Sequence, residues 1–511
     1  MAMRVSRLMV PPTRWRVIGV LVIAVCLLTL GPAGRASGAP SGWSPVVSGG
    51  FGEKNNGYLF SSVAFKGRLY ATTEATPRTV YTGSTYSGTQ LRRTEDGIHW
   101  EQVSGAGLGD PNNTSAFLAV FGHRLYAVTV NHVSGAEVFS SNDGTTFEQV
   151  AQGGFGDKEN DYALPFVYQG KLLLGVSNTT RGAQIWVSED GKRFRRVVDG
   201  GMGDPTNNGV SVMGDAAAAG RSLDFRGHLY VGTINPTHGG EIWRTADGLR
   251  WERVATGGLG RQGSVSLTPQ LVFQNRLYAS GEATGSLTSL QGVELFRTTD
   301  GTHWEKVVED GFGVGPERNI FGFLQAFRGQ LYLVTESMDP RILTPGHPSE
   351  RHPPKGFQLR RSSDGTAWTQ VGTDGFGSDA TLLAAPSVER GQLYLAAVNY
   401  QQGDEVWRSP DGTSWDRIFS EDHASPYAEG AGVLLWSDHL LVTHNDIADG
   451  LDIWRQESVL SKASPTIKEK TTSQLDARRT PQPMPPAERA QAFPAARLAM
   501  LSPMSTTGMT S

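Results

Sequence analysis

One motif returns eight times between residues 43 and 455, and it limits the possible fold more than any other feature. Each return has a short apolar run, a Leu-Tyr pair or a variant of it, and a further apolar or aromatic run, and seven of the eight continue to Asp-Gly followed by another aromatic. The Leu-Tyr pair stands at Leu69–Tyr70, Leu125–Tyr126, Leu229–Tyr230, Leu277–Tyr278, Leu331–Tyr332 and Leu393–Tyr394, with variants at Leu172–Leu173 and Leu440–Leu441. Asp-Gly follows at Asp96, Asp143, Asp190, Asp247, Asp300, Asp364 and Asp411, and four residues beyond each comes Trp100, Phe147, Phe194, Trp251, Trp304, Trp368 or Trp415. Gly accepts the positive φ of a tight turn, so Asp-Gly between apolar runs predicts a primed hairpin turn joining the third and fourth strands of each unit. In the second unit the four strands are predicted at Phe117–Phe121, Arg124–Val130, Ala136–Ser140 and Thr146–Ala151.

Seven Asp-Gly turns stand against eight Leu-Tyr strands, and the mismatch is informative. The eighth unit ends at Ile453–Trp454–Arg455 with no fourth strand of its own. Near the other end, Trp43–Val46 matches Trp100–Val103, and Phe51–Gly52 follows it as Leu108–Gly109 follows Trp100. The expected fold is therefore all-β: an eight-bladed β-propeller of four-stranded antiparallel blades, its ring closed by the N-terminal strand completing the last blade. Closure also removes the exposed edge an open repeat would present. The 63 glycines and the low charged fraction of 19% suit many short strands joined by tight turns.

Residues 1–39 read as a signal peptide. Arg4, Arg7, Arg14 and Arg16 form a basic leader, Val17 to Leu30 is apolar, and small residues follow near Ala36. The apolar run is short for a membrane span, so cleavage is expected rather than a retained anchor. The propeller takes residues 40–458, and 459–511 read as a disordered Pro/Ala/Ser/Thr-rich tail. The single cysteine, Cys26, lies in the leader, so the mature chain has no disulfide and no thiolate ligand or nucleophile. The whole chain is at net −4, and residues 1–39 hold five arginines and no acid, leaving about −9 for the remainder. An acidic chain without a basic stripe excludes nucleic acid as the main partner, and no membrane insertion is expected after signal removal. A secreted or cell-envelope monomer is the expectation.

The turns Ser362-Ser363-Asp364-Gly365-Thr366-Ala367-Trp368 and Ser409-Pro410-Asp411-Gly412-Thr413-Ser414-Trp415 resemble the bacterial neuraminidase (Asp-box) repeat of sialidase-like propellers. The resemblance runs loosely over residues 43–455 and departs in one respect, since Asp and Gly are adjacent here in all seven turns. It implies a propeller fold in which the box is a structural turn on the face away from the active site. It does not imply sialidase activity: Arg341–Ile342 follows a proline instead of preceding one, and no arginine triad or Tyr/Glu nucleophile pair is assignable.

Ten tryptophans recur at equivalent places: Trp186, Trp243, Trp407 and Trp454 on third strands, and Trp43, Trp100, Trp251, Trp304, Trp368 and Trp415 on fourth strands. Recurrence of this kind points to packing between units rather than sugar stacking. Just past the Leu-Tyr strand each unit places an amide or a carboxylate: Glu74, Asn131, Asn178, Asn235, Glu282, Glu336, Asn399 and Asn445. Such a rim suits a polyol ligand; the competing reading is that these side chains satisfy loop backbone groups. Glu282 and Glu336 come from neighbouring units and suit a glycoside hydrolase pair, while His238 or His444 suits a base in a polysaccharide lyase.

Loops such as Gly109-Asp110-Pro111-Asn112-Asn113 offer oxygens for a structural Ca²⁺, yet no unit has the dense acidic loop of a strong site, so neither metal nor cofactor is assigned. The largest insertion, Ser337–Gly356, holds Arg341, His347, Arg351 and His352 and is the leading specificity element. Together these features favour a secreted binding module for a glycan or other extracellular polymer. The alternatives are a carbohydrate-active enzyme on the same rim and a protein-interaction platform.

Overall fold

The structure is a computed structural model. It describes residues 40–457 apart from 76–86, 212–222, 262, 284–290, 315–317, 338–354, 422–424, 426–427 and 447. The signal-peptide and tail assignments, and Arg341, His347, Arg351 and His352, lie outside the described residues. Among the described residues no helix is long and apolar enough to cross a membrane.

The molecule is all-β, a succession of antiparallel four-stranded sheets consistent with a β-propeller. The second unit shows how the residues dictate each sheet. Its strands are Ser115–Phe121, Arg124–Val130, Val138–Ser141 and Glu148–Ala151, close to the predicted spans. The first two are buried almost throughout, and the fourth is exposed or half-buried. Strands walled in on both sides carry unbroken apolar runs, whereas an outer strand alternates. The apolar core lies between successive sheets. Tyr70 and Leu91 of the first unit pack with Leu118 and Leu125 of the second, and Tyr332 and Leu359 of the sixth with Leu393 and Leu395 of the seventh.

The N-terminal strand joins the sheet of the C-terminal strands. Trp43–Val47 pairs antiparallel with Asp452–Gln456, with Trp43 opposite Gln456, and so supplies the fourth strand beside Ala428–Trp436 and His439–Asp446. Trp43 is 3% exposed, meets Phe419 edge-on at 5.1 Å, and donates its indole N–H to the Ile418 carbonyl at 2.8 Å. The last unit also packs on the first. Leu434, Leu441 and Ile453 share a cluster with Leu59, Leu69 and Ala71, and the Trp436 indole donates to the Glu95 carbonyl at 3.0 Å. The other recurrent tryptophans lie against the clusters between sheets, Trp454 buried and the remaining eight half-buried, as expected for packing.

The Asp-Gly turn differs from the two-residue hairpin expected. Arg93 pairs with Glu101, so seven residues, Thr94 to Trp100, close the loop. The loop is held by side chains instead of by a short backbone turn. In the second unit the Ser141 hydroxyl accepts the Gly144 N–H at 2.8 Å, and Asp143 Oδ1 accepts the Thr145 and Thr146 N–H groups at 2.8 Å. The same three bonds recur in the first unit at Thr94 and Asp96 and in the seventh at Ser409 and Asp411. Two N–H donors aimed at one oxygen stabilise the carboxylate, and the Asp143, Asp247 and Asp300 carboxyls are held well below the usual range by these backbone bonds.

Candidate functional site

The residues predicted on the rim all fall at the ends of second strands, but they do not form one ring. Counting from the Leu of each pair, Asn131, Asn178, Asn235 and Asn399 are the sixth residue on, whereas Glu74, Glu282, Glu336 and Asn445 are the fifth. A shift of one residue along a strand turns a side chain to the other face of its sheet. The two sets therefore have different surroundings.

The Asn set is committed to its own turns. Asn131 Oδ1 accepts the Val133 and Ser134 N–H groups at 3.0 and 2.8 Å, and its Nδ2 donates to Asp110 Oδ2 and Asn113 Oδ1 at 3.1 and 2.9 Å. Asn178 and Asn235 repeat this pattern with Asp157–Asn160 and Asp204–Asn207. Asn399 binds the Gln401 and Gln402 N–H groups and donates to Ser378 and Thr381. An amide has two acceptor sites and two protons, and all four are in use at each of these buried residues. The loops offered as Ca²⁺ ligands are the partners in these networks, with Asp110 Oδ1 also accepting the Asn112 N–H at 2.9 Å. In the eighth unit Asp446, not Asn445, plays this part, accepting the Ala448 and Asp449 N–H groups at 2.6 and 2.9 Å. The signal for this role is present in the sequence as Asn or Asp with Gly four residues on, at Gly135, Gly182, Gly239, Gly403 and Gly450.

The second set reaches between units. Asn445 Oδ1 accepts the Leu59 N–H at 3.3 Å and Glu336 Oε1 accepts the Ala384 N–H at 3.2 Å, in each case from the first strand of the following unit. Glu74, Glu282 and Glu336 are all buried, at 5%, 0% and 3% exposed. Glu282 Oε1 accepts from the Ser280 hydroxyl at 3.3 Å, while Oε2 has no hydrogen-bond partner among the described residues. Burial pushes the Glu282 carboxyl up to about 8; the Ser280 bond opposes this and the Glu336 charge adds to it. Glu282 and Glu336 therefore feel one another, and Glu282 is a neutral acid at pH 7. His238 stands apart: its ring is exposed and its Nδ1 meets Asp204 Oδ2 at 2.8 Å.

The three glutamates mark another difference. Across the second and third strands, Leu125 pairs with Ser141, Leu172 with Ser188, Leu229 with Thr245 and Leu393 with Ser409, sixteen residues on in each case. In the units with Glu74, Glu282 and Glu336 the equivalent pairs are Leu69 with Thr94, Leu277 with Thr298 and Leu331 with Ser362, spans of 25, 21 and 31. The tight hairpin needs the Asn turn; the three long hairpins have Ala75, Ala283 and Ser337 at that place.

Sequence reasoning named His444 but not its surroundings. His444 Nδ1 lies 2.7 Å from Asp404 Oδ2 and 3.5 Å from Glu421 Oε2, and its Nε2 lies 3.7 Å from Asp446 Oδ2. All four residues are buried. Burial opposes charging the imidazole, but the three carboxylates hold its pKa well above the ordinary value. Asp446 is two residues from His444 on the same strand, but Asp404 and Glu421 stand on another strand and a loop, 40 and 23 residues away, so no local motif announces the cluster.

No family model matches the chain, and no curated protein matches it. Similar solved structures include a prolyl endopeptidase at 10% identity, covering 77% of this chain and 55% of that one with a TM-score of 0.45. Trypanosoma rangeli sialidase in complex with sialic acid is 12% identical, covering 84% of this chain and 60% of that one with a TM-score of 0.35. A PL25 ulvan lyase, a polysaccharide lyase, is 11% identical over 82% of this chain and 96% of that one, with a TM-score of 0.42. The chain thus spans about three-fifths or less of the length of the first two. These likenesses are too distant to carry an argument about activity.

Proposed function

We propose that the eight units are the blades of one ring closed by Trp43–Val47, and that this secreted propeller binds an extracellular polymer, a glycan first among candidates. The ligand meets the rim formed by the hairpins between second and third strands. The observation that carries this reading is the contrast in hairpin span on that rim: sixteen residues in four units against 25, 21 and 31 in the first, fifth and sixth. Insertions concentrated on one rim of a repeat scaffold are how such folds acquire a binding face. The short hairpins spend their amides on themselves, which leaves recognition to the long ones.

Two observations favour binding over the alternatives. Glu282 and Glu336, the carboxylates an enzyme would use, are buried, at 0% and 3% exposed. A protein platform would present an apolar patch, whereas Val133 and Val272 are the large hydrophobics exposed among the described residues, each standing singly. The test is to incubate the full chain with a panel of polysaccharides while following polymer retention and new reducing or unsaturated ends. Retention of at least one polymer without new ends is expected. New ends that vanish in Glu282→Gln would overturn the binding reading in favour of catalysis, and silence in both channels would favour a protein partner.

A further inference from the structure

The cluster around His444 joins the seventh and eighth units. Asp404 opens the third strand of the seventh unit, Gly403–Ser409, and Glu421 follows its fourth strand, Asp416–Ser420. The Glu421 N–H donates to the Asp404 carbonyl at 2.9 Å, which fixes the two carboxylates side by side. His444 enters from the second strand of the eighth unit, and one donor atom from each of the three residues lies within 4.8 Å of the other two.

Three features of this cluster go beyond an ordinary ion pair. First, its charge does not balance: Asp404 and Asp446 place two buried carboxylates against a single imidazole, with no Lys or Arg in ion-pair range of either among the described residues. Buried charge without a counter-charge costs several kcal/mol. Second, Asp404 is 0% exposed and its Oδ1 has no hydrogen-bond partner among the described residues, although buried carboxylate oxygens are ordinarily satisfied. Third, the ring is oriented. Nδ1 faces Asp404 and Glu421, while Nε2 faces Asp446, the arrangement in which one ring nitrogen ligates a metal and the other donates its proton to an outer carboxylate.

We propose that Asp404, Glu421 and His444 form a binding site for a divalent transition metal, with zinc as the representative ion and Asp446 as the outer partner that holds the His444 tautomer. One nitrogen and two carboxylate oxygens suit zinc or manganese, whereas calcium prefers an all-oxygen shell. Metal–ligand bonds of about 2.0–2.2 Å place donors roughly 3–3.6 Å apart, so the present 2.7 and 3.5 Å spacings need only small side-chain rotations. The site is enclosed, so the ion fastens two adjacent units together and takes no part in ligand recognition.

The purified full chain, stripped with chelator and desalted, is offered ZnCl2 and then assayed for bound metal and thermal melting. One zinc per chain and a raised melting temperature are expected. Asp404→Asn and His444→Gln should abolish retention, and Asp446→Asn should weaken it about 10- to 100-fold. Cobalt(II) reads the same site without substitution, since three protein ligands give the intense visible bands of a four- or five-coordinate ion. A folded chain that retains no zinc, zinc retention unchanged in His444→Gln, a purely octahedral cobalt spectrum, or uptake of calcium alone would each overturn the proposal.

Discussion

At the residue scale, the Tyr of the Leu-Tyr pair explains why Gly follows Asp in five of the seven boxes. A methyl added to Gly144 would fall on the Tyr70 hydroxyl, and the same holds for Gly191 with Tyr126 and Gly301 with Tyr230. Each Tyr thus reaches across to the Asp-Gly loop of the next unit. Where the pair is Leu-Leu the clash disappears: a methyl on Gly248 would lie 3.4 Å from Leu173 Cδ2, and one on Gly97 would lie 3.4 Å from Leu441 Cδ1. Gly144 and Gly248 have nearly the same positive φ, 77° and 76°, so the backbone strain of an alanine is matched between them. Gly144→Ala should therefore cost about 1–3 kcal/mol more than Gly248→Ala in urea unfolding, the difference being the Tyr overlap. Equal losses would show that the hydroxyl does not set this spacing. The coupling of Leu-Tyr to Asp-Gly was visible in the sequence only as co-occurrence, because its partners belong to different units.

Glu282 gives a pH prediction at the same scale. Its pKa is raised from about 4.5 to about 8 on folding, so the folded state holds the proton more tightly. The stabilising effect is complete below about pH 4.5 and is lost as pH rises through 8. Glu282→Gln, which keeps a neutral side chain, should be close to the parent at pH 5 and more stable by a few kcal/mol at pH 9. Melting curves at the two pH values check this. A variant with the parent's pH dependence would mean that Glu282 is already ionised in the fold.

At the scale of elements, strand positions were legible because burial on both sides of an inner strand leaves an unbroken apolar run, and eight repetitions fix the phase. Turn chemistry was less legible. Asp-Gly suggested a two-residue turn, yet Ser or Thr two residues before the Asp supplies a hydroxyl that, with the Asp carboxylate, holds a seven-residue loop. The rim was misleading for a related reason. Asn131 and Glu74 look equivalent until the one-residue offset is counted, and the offset matters only when the strand's faces are known.

The Asp-Gly loops carry their own prediction. The depressed carboxyls of Asp143, Asp247 and Asp300 stabilise the fold above their unfolded pKa, near 3.8, and this is lost as pH falls below it. Because the loop recurs in seven units, melting temperature should drop steeply below pH 4. Asp300→Asn should weaken that dependence, and an unaltered acid limb would argue against the capping role.

At the scale of the whole molecule, the N-terminal strand is the element on which the proposed ring depends. Trp43 packs on Phe419 and bonds the Ile418 carbonyl, so Trp43→Ala should cost about 3–5 kcal/mol, and deleting Trp43–Val47 should also raise the radius of gyration in solution scattering. Compactness and melting unchanged by the deletion would rule out closure. This part of the account was legible from counting alone, since eight strands of one kind against seven of another required a donor from elsewhere. The proposed binding role was legible only in outline: uneven spacing pointed to one rim, but the Asn amides expected there to meet ligand are used by the fold itself.

The most direct measurement of that role shortens the rim. Residues 337–358 of the sixth unit are replaced by the seven residues Asn131–Glu137 of the second, which restores the sixteen-residue span, and retention on the polysaccharide held by the parent chain is compared at matched folding. The account predicts at least a tenfold loss of retention with a melting temperature within a few degrees of the parent. Full retention after the same replacement in the first, fifth and sixth units would contradict it.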